Sequence, residues 1–232
     1  GTTHDNVLPS VALLQYCVEL KLDPLIIFAG SNEIYGNVAP ERMPISEDEP
    51  LRPVTPYGVS KAAVDMAAYQ WHVSHKLRTI RLRLFSHIGP RQSDAYAVPA
   101  FASQIAKIEA GLQEPVLKVG NLSARRDITD VRDVAAAYEA LLTRGVPGAA
   151  YNVGSGRSHE IRTLLDRLVA LSTVPITVEI DPARLRPVDV PDVVCDNRAL
   201  CAATGWSPTI PLETTLRDML DDWRRALKEQ RT

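Results

Sequence analysis

Apolar positions in this chain recur with two periods, and the two periods alternate. Between Asp5 and Leu22, the residues Val7, Val11, Leu14, Val18 and Leu22 return at helical spacing, which predicts a helix closed by Asp23-Pro24. Leu25-Ile26-Ile27-Phe28-Ala29 then reads as a short strand, apolar throughout, of the kind covered on both faces in a parallel sheet. A polar loop rich in Pro and Glu runs from Gly30 to about Pro56. A helix from Tyr57 to His75, a strand from Arg78 to Leu84 and a loop from Phe85 to Gln92 follow. Further helices are predicted over Val98 to Gly111, Asp130 to about Thr143, Ile161 to Leu171 and Leu212 to Leu227. Further strands are predicted over Pro115 to Val119, Ala149 to Val153 and Ile176 to Ile180. Asp181 to Asp192 reads as an ordered crossing loop, kept extended by Arg186-Pro187 and Val190-Pro191.

Alternating strands and helices predict an α/β protein built on a parallel sheet. A chain of 232 residues is long enough for one core, or one core with a lobe. The formal net charge of −2, with no basic block, argues against nucleic-acid and membrane-surface binding. No apolar run reaches membrane-spanning length, and the opening residues lack the basic-then-apolar pattern of a secretory signal. Cys17, Cys195 and Cys201 form no C-x-x-C pair and are odd in number, so they read as reduced thiols of a cytoplasmic protein. No His/Cys cluster has zinc-ligand spacing, so no metal is expected.

Three features carry chemistry together. Tyr57 and Lys61 stand four apart on one helix face. An ammonium beside a phenol favours the phenolate, which makes such a tyrosine a usable proton donor or acceptor in carbonyl–alcohol exchange. Ser31-Asn32-Glu33 directly follows an apolar strand, and the carboxyl ends of parallel strands are where such sheets hold ligands. Taken singly, Ser31 is a turn residue, Glu33 a solvated loop charge and the Tyr–Lys pair a surface contact. Their order is the third feature: strand, serine loop, Tyr–Lys helix, strand.

That order is the order of the short-chain dehydrogenase/reductases. Gly30-Ser31-Asn32-Glu33-Ile34-Tyr35-Gly36 with Pro56-Tyr57-Gly58-Val59-Ser60-Lys61 resembles their extended, sugar-nucleotide branch, the NAD-dependent epimerase/dehydratases. Within that branch, three stretches are similar to GDP-6-deoxy-mannose reductases. They are Arg83-Leu84-Phe85-Ser86-His87-Ile88-Gly89-Pro90-Arg91-Gln92, the run from Val119-Gly120-Asn121-Leu122 to Val134, and Arg186-Pro187-Val188-Asp189-Val190-Pro191. Gly205-Trp206-Ser207-Pro208 with Ile210-Pro211-Leu212-Glu213 fits as well.

The resemblance implies a Rossmann-type parallel sheet over residues 1–92 and a smaller C-terminal α/β sugar-nucleotide lobe over 93–232. Segments around 130–160 would return to the first sheet. It implies reduction of the 4-keto group of GDP-4-dehydro-6-deoxy-D-mannose to GDP-D-rhamnose with NADP or NAD as cofactor. The alternatives are a GDP-mannose 4,6-dehydratase or another nucleotide-sugar epimerase/dehydratase, and a non-catalytic sugar-nucleotide-binding module. Tyr57 would protonate the C4 oxygen. Lys61 would hold the nicotinamide ribose, Ser31 would orient the keto group, and Glu33 would position the sugar in a reductase or act as base in a dehydratase. Leu84, Ser86 and His87 would approach the cofactor, with Ser86 also near the sugar. Arg126 and Arg186 would clamp the diphosphate, and Lys118, Val119 and Asn121 would lie near the base or ribose. Helices 5–22 and 57–75 would pair across a homodimer.

Local readings temper these roles. Asp130, although grouped with Asp127 and Asp133, reads as a helix cap rather than a metal ligand. Arg125 reads as an ion-pair partner, and His87 as either a cofactor contact or a satisfied loop histidine. Gly154-Ser155-Gly156 is a turn rather than a phosphate loop, and Trp206-Ser207 is packing and a turn. The family Pro and Asn are replaced by Leu84 and Ser86. No G-x-x-G-x-x-G string, the motif that seats a dinucleotide pyrophosphate at a helix N-terminus, occurs in the sequence. The sheet is therefore expected to lack its glycine-rich N-terminal half, and the strands at 25–29 and 78–84 to expose an apolar edge.

Overall fold

Leu25–Ala29 (β1) and Arg78–Leu84 (β2) pair in parallel, with Leu25 opposite Arg78 and Ala29 opposite Leu82. They belong to a computed structural model that describes residues 2–184 and 191–229. Thr2–Glu19 (α1) precedes β1, and Pro56–His75 (α2) crosses from β1 to β2. Sequence chemistry sets the ends of α2. The Thr55 hydroxyl accepts the amide of Gly58 at 2.9 Å, Pro56 fits the first turn, and Lys76 closes the helix in the left-handed region at φ 61°.

The remaining elements are Ser86–Ile88 (β3), Ala97–Glu109 (α3), Val116–Val119 (β4), Arg125–Asp130 (β5), Val131–Arg144 (α4) and Ala150–Val153 (β6). After them come Ser158–Glu160 (β7), Ile161–Val169 (α5), Thr177–Ile180 (β8), Arg198–Thr204 (α6) and Leu212–Glu229 (α7). The chain divides into two units. One comprises residues 1–85, 134–156 and 193–208, and the other 86–133, 157–192 and 209–232.

The first unit holds a parallel sheet of order β1-β2-β6. Because β2 lies between β1 and β6, of the two strands expected at an exposed edge β1 stands at one among the described residues and β2 does not. The sequence also suggested β1 to be covered on both faces. Leu25 and Ile27 pack against one core and Ile26 and Phe28 against the other, so both faces are covered, with Phe28 buried and the other three half-buried. On one side Ile80 and Leu82 join Val134, Ala137, Leu141, Tyr151, Val153, Leu200 and Trp206 in a core. On the other, Phe28 packs with Leu14, Cys17, Val64, Ala68 and Leu77 beneath α1 and α2. Residues 193–208, expected in the second lobe, belong here: Ile45 bridges to Cys195, and α6 brings Leu200 to the core.

In the second unit β5 lies between β3, parallel, and β7, antiparallel, while β4 and β8 form a parallel pair. The β5–β7 pair is antiparallel, whereas the other strand pairs among the described residues are parallel. Its core joins Phe101 and Ile105 of α3, Leu164, Leu165 and Leu168 of α5, and Leu216, Met219 and Leu220 of α7. Asp130 accepts the amide of Arg132 at 2.8 Å, pairs with its guanidinium and accepts the Thr215 hydroxyl. Asp133 accepts the amides of Thr209 and Ile210. These carboxylates tie backbone together, consistent with a capping rather than a ligating role.

Candidate active site

Four of the expected residues, Ser31, Glu33, Tyr57 and Lys61, lie in the first unit. Ser31 follows β1, is buried, and starts a single 3₁₀ turn over Asn32–Ile34. Its hydroxyl oxygen accepts the amide of Glu33 at 3.2 Å. An oxygen used in this way keeps its own proton to donate. Glu33 is exposed, and its carboxylate accepts the Thr55 hydroxyl at 2.8 Å. Thr55 therefore links the serine loop to α2, since the same oxygen caps the first turn of that helix. Gly58 makes this approach possible: a Cβ there would lie 2.7 Å from the carbonyl oxygen of Glu33. Gly36, at φ +67°, closes the loop against the carbonyl of Arg52, where only glycine fits.

Tyr57 is 39% exposed, so it stands at the surface of the unit rather than in its core. The Lys61 ammonium lies 5.7 Å from the centre of the Tyr57 ring and donates to the carbonyl of Ala29 at 2.9 Å. Burial holds the pKa of Lys61 below its ordinary value. A cation partly stripped of water acts more strongly on a neighbouring phenol than a fully solvated one. The arrangement offers a hydroxyl donor, a carboxylate and a cation-assisted phenol at the carboxyl end of β1, which suits proton delivery to a carbonyl oxygen.

Not every expected cofactor residue points outward. Leu84, the last residue of β2, is half-buried and packs its side chain against the core of the first unit, which leaves its main chain to approach a cofactor. Alternation along β2 puts Leu84 on the same apolar face as Ile80 and Leu82.

The second unit carries Ser86, His87, Lys118, Val119, Asn121 and Arg126, while Arg186 lies outside the described residues. Ser86 and His87 are half-buried on β3, opposite Ile128 and Thr129, and the His87 carbonyl accepts Gln92. The side chain of Val119 is fully buried in the core, so only its main chain is available to a ligand. Lys118 is exposed, and its amide and carbonyl are both held by Gln104. Together with Gln104, Lys107, Glu114 and Arg184 it lines a cavity of about 400 Å³. Asn121 is exposed, and its side-chain oxygen accepts both the amide and the hydroxyl of Ser123. Arg125 pairs with Asp192 at 3.6 Å and donates to the carbonyl of Ser158, as its ion-pair reading anticipates, whereas neighbouring Arg126 is half-buried opposite His159. Among the described residues no group of three or more His, Cys, Asp or Glu is placed to hold a metal ion.

Reading the sequence for site residues passed over the groups that hold this site. Tyr35, Asp65, Arg83 and Asn152 are all buried polar residues in the first unit. The available signal was the polar–apolar alternation of Arg78-Thr79-Ile80-Arg81-Leu82-Arg83-Leu84, which marks a face carrying arginines into the interior.

The matches to known proteins cover the length of this chain. Residues 1–219 match the family model described as GDP-mannose 4,6 dehydratase. The chain is 36% identical to the GDP-6-deoxy-D-mannose reductase of Pseudomonas aeruginosa over 99% of its own length and 75% of that protein. It is 28% identical to GDP-mannose 4,6 dehydratase 1 of Arabidopsis thaliana over 88% of its length, and spans about half (55%) of that relative. The solved structure of RMD from Pseudomonas aeruginosa complexed with NADPH superposes with a TM-score of 0.91 at 35% identity, covering 97% of this chain and 74% of that one. With the serine loop, the Tyr–Lys helix and a Rossmann-type parallel sheet in place, the chain belongs to the GDP-mannose 4,6-dehydratase family of the extended short-chain dehydrogenase/reductases.

Proposed function

We propose that this chain carries the catalytic and sugar-nucleotide residues of a cytoplasmic NAD(P)H-dependent reductase that converts GDP-4-dehydro-6-deoxy-D-mannose to GDP-D-rhamnose. The observation that carries the reading is the attachment of the Ser31–Glu33 loop to the first turn of the Tyr57–Lys61 helix through Thr55. The similarity to the Pseudomonas reductase and to a structure complexed with NADPH supports it.

The described residues fit the nicotinamide end of a dinucleotide site, where a partly desolvated Lys61 lies against the Tyr57 ring. When bound, the reduced nicotinamide supplies the hydride that reaches C4. Tyr57 gives its phenolic proton to the C4 oxygen. Lys61 stabilises the phenolate left behind and orients the nicotinamide ribose. Ser31 donates a second hydrogen bond to the same oxygen, and Glu33 positions the sugar. Ser86 and His87 lie alongside sugar and cofactor. Arg126 and Arg186 neutralise the diphosphate, for which the planar fork of a guanidinium suits the geometry. Lys118, Asn121 and the main chain of Val119 face the base and ribose.

Titration calorimetry of the chain with GDP tests the nucleotide half. Saturable binding is expected, and Arg126→Ala weakens it by roughly tenfold to a hundredfold, the effect of losing one charge-assisted hydrogen-bonding group. No binding of GDP removes the sugar-nucleotide assignment. The chemical half is tested on the chain alone and on the chain with a family glycine-rich segment fused ahead of Gly1. NADPH oxidation dependent on the 4-keto sugar supports the reductase. Consumption of GDP-mannose without NADPH makes the enzyme a dehydratase instead, and GDP binding without either reaction leaves a binding module.

The same reading includes a homodimer. Leu8, Leu13, Tyr16 and Leu20 from α1 and the turn after it, with Val59, Met66, Tyr69 and Val73 from α2, are all large apolar side chains left exposed. Large apolar side chains left open on two neighbouring helices suit burial against a partner. Two helices from each of two copies would form a four-helix interface of the order of 800 Å² per partner, as stable dimers need. Light scattering is expected to give twice the mass of one chain, and Leu13→Glu with Met66→Glu to halve it while leaving the circular dichroism unchanged. A single-chain mass for the unmodified protein refutes the dimer.

A further inference from the structure

We propose that Arg83 is a positioning residue that sets the two catalytic segments against each other. The inference rests on the catalytic reading of Ser31, Glu33, Tyr57 and Lys61 given above. Asp65 lies on α2 one turn beyond Lys61 and two turns beyond Tyr57, so the row 57, 61, 65 runs from solvent into the core. Arg83, on the central strand β2, grips Asp65 with two bonds, Nε to Oδ2 at 2.9 Å and Nη2 to Oδ1 at 3.0 Å. Its remaining terminal nitrogen, Nη1, donates to the Tyr35 hydroxyl at 3.0 Å and to the carbonyl of Glu47 at 2.8 Å.

Tyr35 ends the 3₁₀ turn that Ser31 begins. Its hydroxyl donates onward to Asn152 Oδ1 on β6 at 2.7 Å, and Asn152 in turn donates to Ile45 and Glu47. One planar guanidinium thus holds the helix that carries Tyr57 and Lys61 along one edge, and the turn that carries Ser31 and Glu33 at its other end. Arg83, Asp65, Tyr35 and Asn152 are each at most 5% exposed. Burial pushes the Tyr35 hydroxyl pKa well above its ordinary value, which keeps it a neutral donor to Asn152. A lysine at position 83 has a single ammonium and cannot reproduce both ends of this fork.

The test compares Arg83→Lys and Tyr35→Phe in the chain with the fused glycine-rich segment. Tyr35→Phe leaves the Asp65 pair intact and releases only the turn, so it stays informative where Arg83→Lys fails to fold. Amide hydrogen exchange is read at Glu33, Tyr35 and Gly36 in the turn, at Gly58 and Val59 in the first turn of α2, and along β2 and β6. Tyr35→Phe is expected to speed exchange in the turn alone by about tenfold, and Arg83→Lys in both segments, with the strands unchanged. In turnover, kcat falls by about tenfold to a hundredfold while KM for NADPH and sugar nucleotide changes less than about twofold. Exchange that rises uniformly over the first unit, or a turn and a kcat unaffected by Tyr35→Phe, overturns the proposal. The exchange measurement needs no turnover, so it decides the role of Arg83 even if Tyr57 proves not to be the proton donor.

Discussion

Replacing Tyr57 with phenylalanine is expected to lower kcat by about 10²–10⁴-fold, the contribution of a positioned general acid. The substitution removes one oxygen from a side chain that is 39% exposed and not part of the core, so folding should be unaffected. Binding of GDP should also be unchanged, because the residues assigned to the nucleotide lie in the second unit. Lys61→Met acts through the same phenol. It removes the cation lying 5.7 Å from the ring and the bond to Ala29, and its loss of kcat should not add to that of Tyr57→Phe. Steady-state kinetics of the single and double variants, made in the chain with a fused glycine-rich segment, are the measurement. Tyr57→Phe with full reductase activity would take the proton donor away from this residue. Additive losses would mean that tyrosine and lysine act in separate steps.

Much of this site was legible because its residues follow local rules. The apolar run 25–29, the 57–75 helix with its Thr55-Pro56 start and the alternating 78–84 segment all formed where their periods placed them. The order of strand, serine loop and Tyr–Lys helix brought Ser31, Glu33, Tyr57 and Lys61 into one unit. What stayed hidden depended on partners distant in sequence. Ser86–Ile88 and Ser158–Glu160 are three-residue strands, too short to show a period, and exist only because Arg125–Asp130 lies between them. Arg125–Asp130 itself has only one apolar side chain, Ile128, so no hydrophobic period marks it as a strand. Leu84 and Val119 were placed near ligand because of where they stand in a motif, which does not say which way a side chain turns. Strand alternation turned both inward. Most hidden of all was the partner of the arginines on the interior face of β2, since their alternation with apolar residues does not say which distant carboxylate is buried against them.

That carboxylate is Asp65, and replacing it with alanine is expected to destabilise the first unit by about 3–5 kcal/mol, the usual cost of leaving buried charge without its partner. Asp65 is 4% exposed and pairs with two guanidiniums at once, Arg83 at 2.9 Å and Arg81 at 3.1 Å. Arg83 is equally buried, so water cannot replace the lost oxygens. Arg81 has other support: it donates to the carbonyl of Gly148 and stacks 4.9 Å from the centre of the Tyr69 ring. The penalty therefore falls mainly on Arg83. For a domain whose whole stability is of the order of 5–15 kcal/mol the loss is large, and the thermal midpoint should drop by roughly 10 °C. A matched surface substitution provides the scale. Asp23 lies 3.9 Å from Arg78 with both side chains well exposed, and Asp23→Ala should change stability by less than about 0.5 kcal/mol. Urea denaturation of both variants with the parent chain measures the difference. If Asp65→Ala costs no more than Asp23→Ala, the two arginines are not held by this carboxylate, and the internal geometry of α2 against β2 must rest on apolar packing alone. If Asp65→Ala with Arg83→Met recovers much of the loss, the penalty lies in the stranded charge rather than in the missing bonds, as burial of an unpaired ion requires.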